Sequence, residues 1–261
     1  MTRIDPHTWI GGYPWRHLPS SDANSLLVAL EREGLVGAWV GHLPSAWWRD
    51  PALGNRDLVA LLAPHRERLT PTPCVRPGWP RWRDEIARAV DVGAAAVRAY
   101  PAIVQLGPED PDWIALGDEV ARAGLALILT QRFEDLRQRH PLDTASDLAP
   151  AHVRAMARAT GAHLIVGSGS RAMIEEVHWG LTAAEQSRVW YDTAWLWGPP
   201  EDELAHLMRT IGPSRLLAGS GWPLRLPEQV RAARDLLPLD VESLVFAEAE
   251  SVREAARAHR Q

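Results

Sequence analysis

The sequence predicts a single (β/α)8 barrel of the TIM type over residues 1–261, on three observations. Short apolar runs alternate with amphipathic segments along the whole length, the order that builds a parallel sheet wrapped in helices. Several runs, such as Leu125–Leu129 and Leu164–Val166, are apolar without interruption, as strands buried on both faces must be. Eight such units follow one another within about 220 residues, inside the usual size range of this barrel, and no linker or composition shift marks a second domain.

Taken in order, the first strand is expected from Arg3 to Trp9. Ser21 and Asp22 then cap a helix that carries Leu26, Leu27 and Leu30 at helical spacing, and Gly34 stops it. Further strands are expected at Gly37 to His42, Thr70 to Arg76, Ala94 to Tyr100, Leu125 to Gln131, His163 to Ser168, Val189 to Thr193 and Arg215 to Ser220. Pro80, Pro111, Pro150, Pro200 and Pro227 fall where the later helices should begin, a position that tolerates proline because the amide it lacks has no intrahelical partner there. Gly93, Gly124, Gly161 and Gly212 fall where helices should stop, as left-handed caps. Glu242 to His259 reads as a final helix closing the barrel.

Composition narrows the function classes. A net charge of -5 leaves no electrostatic footprint for nucleic acid or an anionic membrane, so a small-molecule substrate is the expected partner. No apolar run is long enough to span a bilayer and no signal-peptide pattern opens the chain, which points to the cytoplasm. Cys74 is the single cysteine, which excludes intrachain disulfides and thiolate-rich zinc sites. All 28 basic residues are arginine, so Schiff-base chemistry, covalently held pyridoxal phosphate and a carbamylated lysine bridging two metals are ruled out. No cofactor is called for. Exposed tryptophans are compatible with a homo-oligomer, although no motif specifies one.

In a (β/α)8 barrel the chemistry gathers at the carboxyl ends of the strands. Those ends carry His7 and Trp9, His42, Cys74 and Arg76, Arg98 and Tyr100, Thr130 to Arg132, Ser168, Asp192 and Thr193, and Gly221 and Trp222. Three segments here, Ile4-Asp5-Pro6-His7-Thr8-Trp9, Val97-Arg98-Ala99-Tyr100-Pro101 and Leu217-Ala218-Gly219-Ser220-Gly221-Trp222-Pro223, are similar to segments of the amidohydrolase superfamily. The branch resembled is that of the aminocarboxymuconate-semialdehyde decarboxylase-like proteins, and the resemblance runs over essentially the whole chain through short motifs. It implies a divalent metal held by an Asp-x-His-x-His run on the first strand, histidines ending strands five and six, and an aspartate in a Gly-Ser-Asp-x-Pro motif on strand eight. Carried over by position, His7 matches the first ligand, while Trp9, Thr130, Ser168 and Gly221 stand at the other four. Zinc sites need about three nitrogen, sulfur or carboxylate donors, so the expected site holds no metal. A rebuilt site from His7, His42 and Asp192 is an open alternative that no spacing supports.

The densest polar cluster is Gln131 to Pro141, after the fifth strand, and it resembles a stretch with a Glu-Asp-x-Arg core and a following His-Pro in a metal-poor branch of the same superfamily. Glu134, Asp135 and His140 are candidate acid or base groups beside His7 and Asp192, and Arg132 and Gln131 are candidate substrate contacts. The alternative is a salt-bridge network that shapes a long loop. Arg98 beside Tyr100 is the leading anchor for an anionic or planar substrate group. Thirteen tryptophans against two phenylalanines suggest an aromatic pocket, with Trp9 and Trp222 as its walls and Trp39, Trp82 and Trp113 as core filler. Around Ser168, a candidate substrate contact, the glycines Gly167 and Gly169 could present backbone amides to an anion with help from Arg171, whereas Cys74 fits packing better than catalysis.

Three functions follow. The leading one is a metal-independent enzyme of hydrolase, lyase or decarboxylase type, acting on a small aromatic or carboxylated metabolite. The others are a catalytically inactive binding or scaffold protein and a metallohydrolase with a rebuilt site. A deep mouth with convergent arginines and carboxylates would favour the enzyme; a tryptophan-filled mouth would favour the scaffold.

Overall fold

The computed structural model describes residues 3–242 and 244–259. Eight parallel strands form the barrel: β1 (Ile4–Ile10), β2 (Gly37–His42), β3 (Leu69–Pro71), β4 (Ala96–Ala99), β5 (Ala126–Thr130), β6 (His163–Gly167), β7 (Val189–Asp192) and β8 (Leu216–Leu217). They pair in sequence order as β1-β2-β3 and β4 through β8. Two seams complete the circle. At one, Cys74 bridges Arg98 in parallel; at the other, Thr8 bridges Trp222, with Trp9 N–H donating to the Trp222 carbonyl at 2.8 Å. Both seams lie where proline or glycine interrupts a regular ladder, Pro71 and Pro73 on one side and Gly219 and Gly221 on the other.

Side chains alternate between two layers because successive strand residues point to opposite faces. Val97, Leu127, Leu129, Leu164, Val166, Val189 and Tyr191 face outward onto the helices, against Ile86, Trp113, Leu116, Val153, Met156 and Ile174. Trp39, Ala96, Ile128, Ile165, Trp190 and Leu217 face inward, where Ala249 and Val252 of the last helix, Ala249–Ala258, seal one end. That helix starts later than expected, and Ser243 of the expected Glu242–His259 span lies outside the described residues. Trp39, Trp82 and Trp113 are core residues, as expected.

The helix punctuation follows the sequence in most places. Pro111, Pro150 and Pro227 each open a helix, and Gly124 caps the Pro111–Ala123 helix in the left-handed region at φ +68°. Pro80 and Pro200 fall short of their helices, which begin at Trp82 and Glu203. Gly161 is no left-handed cap; it is small because a Cβ there would sit 2.4 Å from Nε2 of His259 on the last helix.

Candidate active site

The site begins with a proline. Pro6 has no N–H to give the ladder, and the β1–β2 register slips between Asp5 and Thr8, a bulge of the kind that re-aims a side chain. The His7 N–H, turned out of the ladder, donates to Asp5 Oδ1 at 2.9 Å, and the fully buried His7 ring enters the barrel. It lies against Gly167, where a Cβ would come 2.3 Å from His7 Cε1.

Both ring nitrogens are engaged. Nδ1 meets Asp192 Oδ2 at the end of β7, and Nε2 meets Thr130 Oγ1, ending β5, at 3.3 Å. A carboxylate accepts only, so the imidazole proton lies on Nδ1 and the Nε2 lone pair faces the threonine hydroxyl, which donates. Asp192 Oδ1 accepts the N–H groups of Ser168 at 2.9 Å and Ala194 at 3.1 Å, which holds the carboxylate in place. Burial pulls the His7 pKa below its ordinary value, opposed by the Asp192 charge, so the ring is neutral near pH 7.

Trp9, two residues on from His7 and on the same face of β1, fills the barrel above Arg98. Its ring centroid lies 4.3 Å from that of His7, its Nε1–H donates to Tyr100 Oη at 3.1 Å, and the Arg98 guanidinium stacks 5.0 Å from it. Arg98 is therefore not the substrate anchor the sequence suggested. Its Nε donates to Thr72 Oγ1 at 2.8 Å and one Nη to the Thr8 carbonyl at 3.1 Å, below the indole and shut off from the mouth. Trp222 is a second correction. Gly221 carries the inward direction at the β1–β8 seam, so Trp222 points outward into the cluster of Ile10, Leu26, Leu30 and Val40.

The loop 131–149 closes over the mouth. Its ends are tied where Leu148 N–H donates to the Gln131 carbonyl at 3.0 Å. Phe133 packs down on Trp47, Tyr100 and Trp9 at 4.6, 5.4 and 5.7 Å between ring centroids. Beneath it a cavity of about 20 Å³ is lined by Thr130, Gln131, Tyr100, Trp47 and Arg139, room for about one water. The polar cluster read as acid and base groups is the salt-bridge network that shapes this loop. Glu134 accepts from Arg16 Nε at 2.6 Å, Asp135 pairs with Arg137 at 2.9 Å, Arg132 and Arg139 share Asp147, and His140 stacks on Trp15. Gln131 Oε1 accepts the Ser170 N–H at 2.7 Å and Asp192 Oδ1 accepts the Ser168 N–H at 2.9 Å, so two of the amides in the Gly167–Ser170 turn are already engaged. Arg171 turns to Glu175 at 3.2 Å.

The five positions that the resemblance assigns to a metal do converge. Thr130 and Trp9 touch His7, Ser168 shares Asp192 with it, and a Cβ on Gly221 would lie 3.8 Å from Ser168 Oγ. They present an imidazole with both nitrogens engaged, an indole, two hydroxyls and a glycine, a set that does not fit a divalent ion. The rebuilt site fails as well: His42 turns away to Ser45 Oγ at 2.8 Å, and no group of three His, Cys, Asp or Glu stands together among the described residues. Cys74 is buried, its thiol pushed up to about 12 by burial, and it serves packing.

Arg225, four residues beyond Gly221, escaped the sequence reading. Its guanidinium lies between Trp195 and Trp197, 4.4 and 4.6 Å from their rings, its Nε has no partner, and no carboxylate pairs with it among the described residues. Only the density of tryptophans around residues 195–197 hinted at it.

No family model matches the chain, and no curated protein matches it. Solved structures do. The 2,6-dihydroxybenzoate decarboxylase from Rhizobium matches with a TM-score of 0.70 at 14% identity, over 97% of this chain and 98% of that one. An amidohydrolase II structure matches at 0.70 and 16% identity, over 97% and 99%. The 5-carboxyvanillate decarboxylase from Novosphingobium aromaticivorans, a structure with bound manganese, matches at 0.69 and 12% identity, over 97% of both chains. The chain shares the (β/α)8 barrel fold of these proteins. No helix among the described residues is long and apolar enough to cross a membrane.

Proposed function

We propose that this protein is a metal-independent barrel enzyme, of hydrolase, lyase or decarboxylase type, acting on a small aromatic or carboxylated metabolite. One observation carries the reading: a buried pair of His7, within β1, and Asp192, ending β7, with the His7 Nε2 lone pair directed at the hydroxyl of Thr130, a residue that lines the mouth cavity. Neutral His7 accepts a proton at Nε2, and the adjacent Asp192 carboxylate stabilises the imidazolium that forms. Arg225, part-buried beside two indoles and without a carboxylate partner among the described residues, is suited to a planar carboxylate, and two of the structural neighbours are decarboxylases named for aromatic acids. Substrate access requires Phe133 to leave Trp9, Trp47 and Tyr100, which places the loop 131–149 as a lid.

The test is turnover by chelator-treated protein across a panel of aromatic carboxylic acids and their esters. Activity should survive chelation and fall about 10²- to 10⁴-fold in His7→Gln. Activity that disappears with the chelator, or that ignores His7→Gln, would refute the reading. The second reading, a binding protein without turnover, is favoured by the Trp9 and Phe133 rings that fill the mouth. It predicts saturable benzoate binding, weakened by Arg225→Ala, with no substrate consumed.

A further inference from the structure

We propose that Thr130 is a nucleophile, and that the Thr130–His7–Asp192 chain cleaves a carboxylic ester or lactone through an acyl-threonine. The proposal rests on His7 and Asp192 being the acid–base pair and goes beyond that reading by naming the attacking atom and the bond cleaved. A nucleophile, a base within hydrogen-bond reach and a third group that orients the base are what such chemistry requires. All three are present: Thr130 Oγ1 lies 3.3 Å from His7 Nε2, and His7 Nδ1 is held by a carboxylate that two backbone amides hold in turn.

The arrangement is selective among the nearby hydroxyls. Ser168 is tied to Asp192 through its backbone and has no hydrogen bond to the imidazole, and Thr8 Oγ1 donates to the Trp39 carbonyl at 3.0 Å. Among the described residues that line the cavity under Phe133, Thr130 alone hydrogen-bonds to His7. Strand periodicity places it there, since Ala126, Ile128 and Thr130 share the inward face of β5, and β-branching restricts its χ1. Tyr100 lines the same cavity; it accepts from Trp9 Nε1 and keeps its own proton to donate to a developing oxyanion.

The steps balance. Thr130 Oγ forms a bond to the acyl carbon as its proton passes to His7 Nε2. The bond from that carbon to the alkoxy oxygen then breaks, and the departing oxygen takes the proton from Nε2. In the second half water attacks the acyl carbon and gives a proton to Nε2. The carbon–Oγ bond breaks, Thr130 recovers its proton and a carboxylic acid leaves.

The experiment uses p-nitrophenyl acetate with the full chain, as wild type and as Phe133→Ala, which removes the ring over the cavity. Acid-quenched protein should carry one acetyl group mapped by mass spectrometry to Thr130, with a burst of p-nitrophenolate. Thr130→Val should abolish both and slow hydrolysis about 10³-fold, while Thr130→Ser restores the adduct. Hydrolysis that depends on His7 yet persists with no adduct in Thr130→Val overturns the nucleophile and spares the acid–base pair. Hydrolysis indifferent to both residues overturns both readings. Absence of adduct and hydrolysis in wild type and Phe133→Ala alike also overturns the nucleophile.

Discussion

Asp5 offers a prediction whose size and sign follow from its surroundings. It is fully buried beside the β1–β8 seam, where its carboxylate accepts N–H groups from His7 at 2.9 Å and Ser220 at 3.2 Å. Burial raises its pKa from the ordinary 3.8 to about 7, with Asp192 adding to the rise and the hydrogen bonds from Ser220 and His7 opposing it. At 1.36 kcal/mol for each tenfold change, the interval between 3.8 and about 7 corresponds to about 4 kcal/mol. Between those values the folded chain holds a proton that the unfolded chain has released. The stabilisation is thus complete below about pH 4 and is lost as pH rises through about 7. Asp5→Asn keeps an oxygen to accept both N–H groups and carries no charge. It should match wild type near pH 4 and exceed it by about 4 kcal/mol near pH 8, with a gap that widens as pH rises. Urea unfolding of the two proteins across that range reads the difference. His7, held below its ordinary pKa by burial, titrates in the opposite sense, so the difference between variants isolates Asp5. A gap that stays constant with pH would show that Asp5 is already ionised in the folded protein at pH 4.

Two further outcomes test the site's construction. Gly167→Ala places a methyl 2.3 Å from His7 Cε1 and should displace the ring, costing about 1–3 kcal/mol and altering the His7 imidazole signals in NMR; unchanged stability and signals would contradict the packing described. Cys74, its thiol pushed up to about 12, should resist a thiol reagent at pH 8 in the native protein and react promptly once unfolded, so rapid native labelling would contradict its burial.

The corrections share a physical origin. Periodicity located the strands because apolar runs report burial, and β2 occupies the expected Gly37–His42 span. It also marked which residues stand near strand ends, but not how deep each lies. Arg98 and Trp9 were both counted as mouth residues, yet the indole lies over the guanidinium, an order set by packing across β1 and β4. Glu134, Asp135 and His140 are dense in sequence because a long loop needs internal pairs, and only its folded path shows that Arg16, Arg137 and Trp15 take them up. Arg225 carries no local signal, since its indole neighbours come from another loop.

By itself the sequence determined the barrel and the presence of His7 within the first strand, and, through the resemblance, that four of the five implied metal positions hold groups that bind metals poorly or not at all. Those properties belong to residue type and spacing, which the chain carries before it folds. Tertiary structure alone decided that His7 and Asp192, 185 residues apart, form a pair aimed at Thr130, and that Trp222 leaves the mouth while Phe133 covers it. Such relations depend on distances between strands and on which way each side chain turns, and barrel closure sets both.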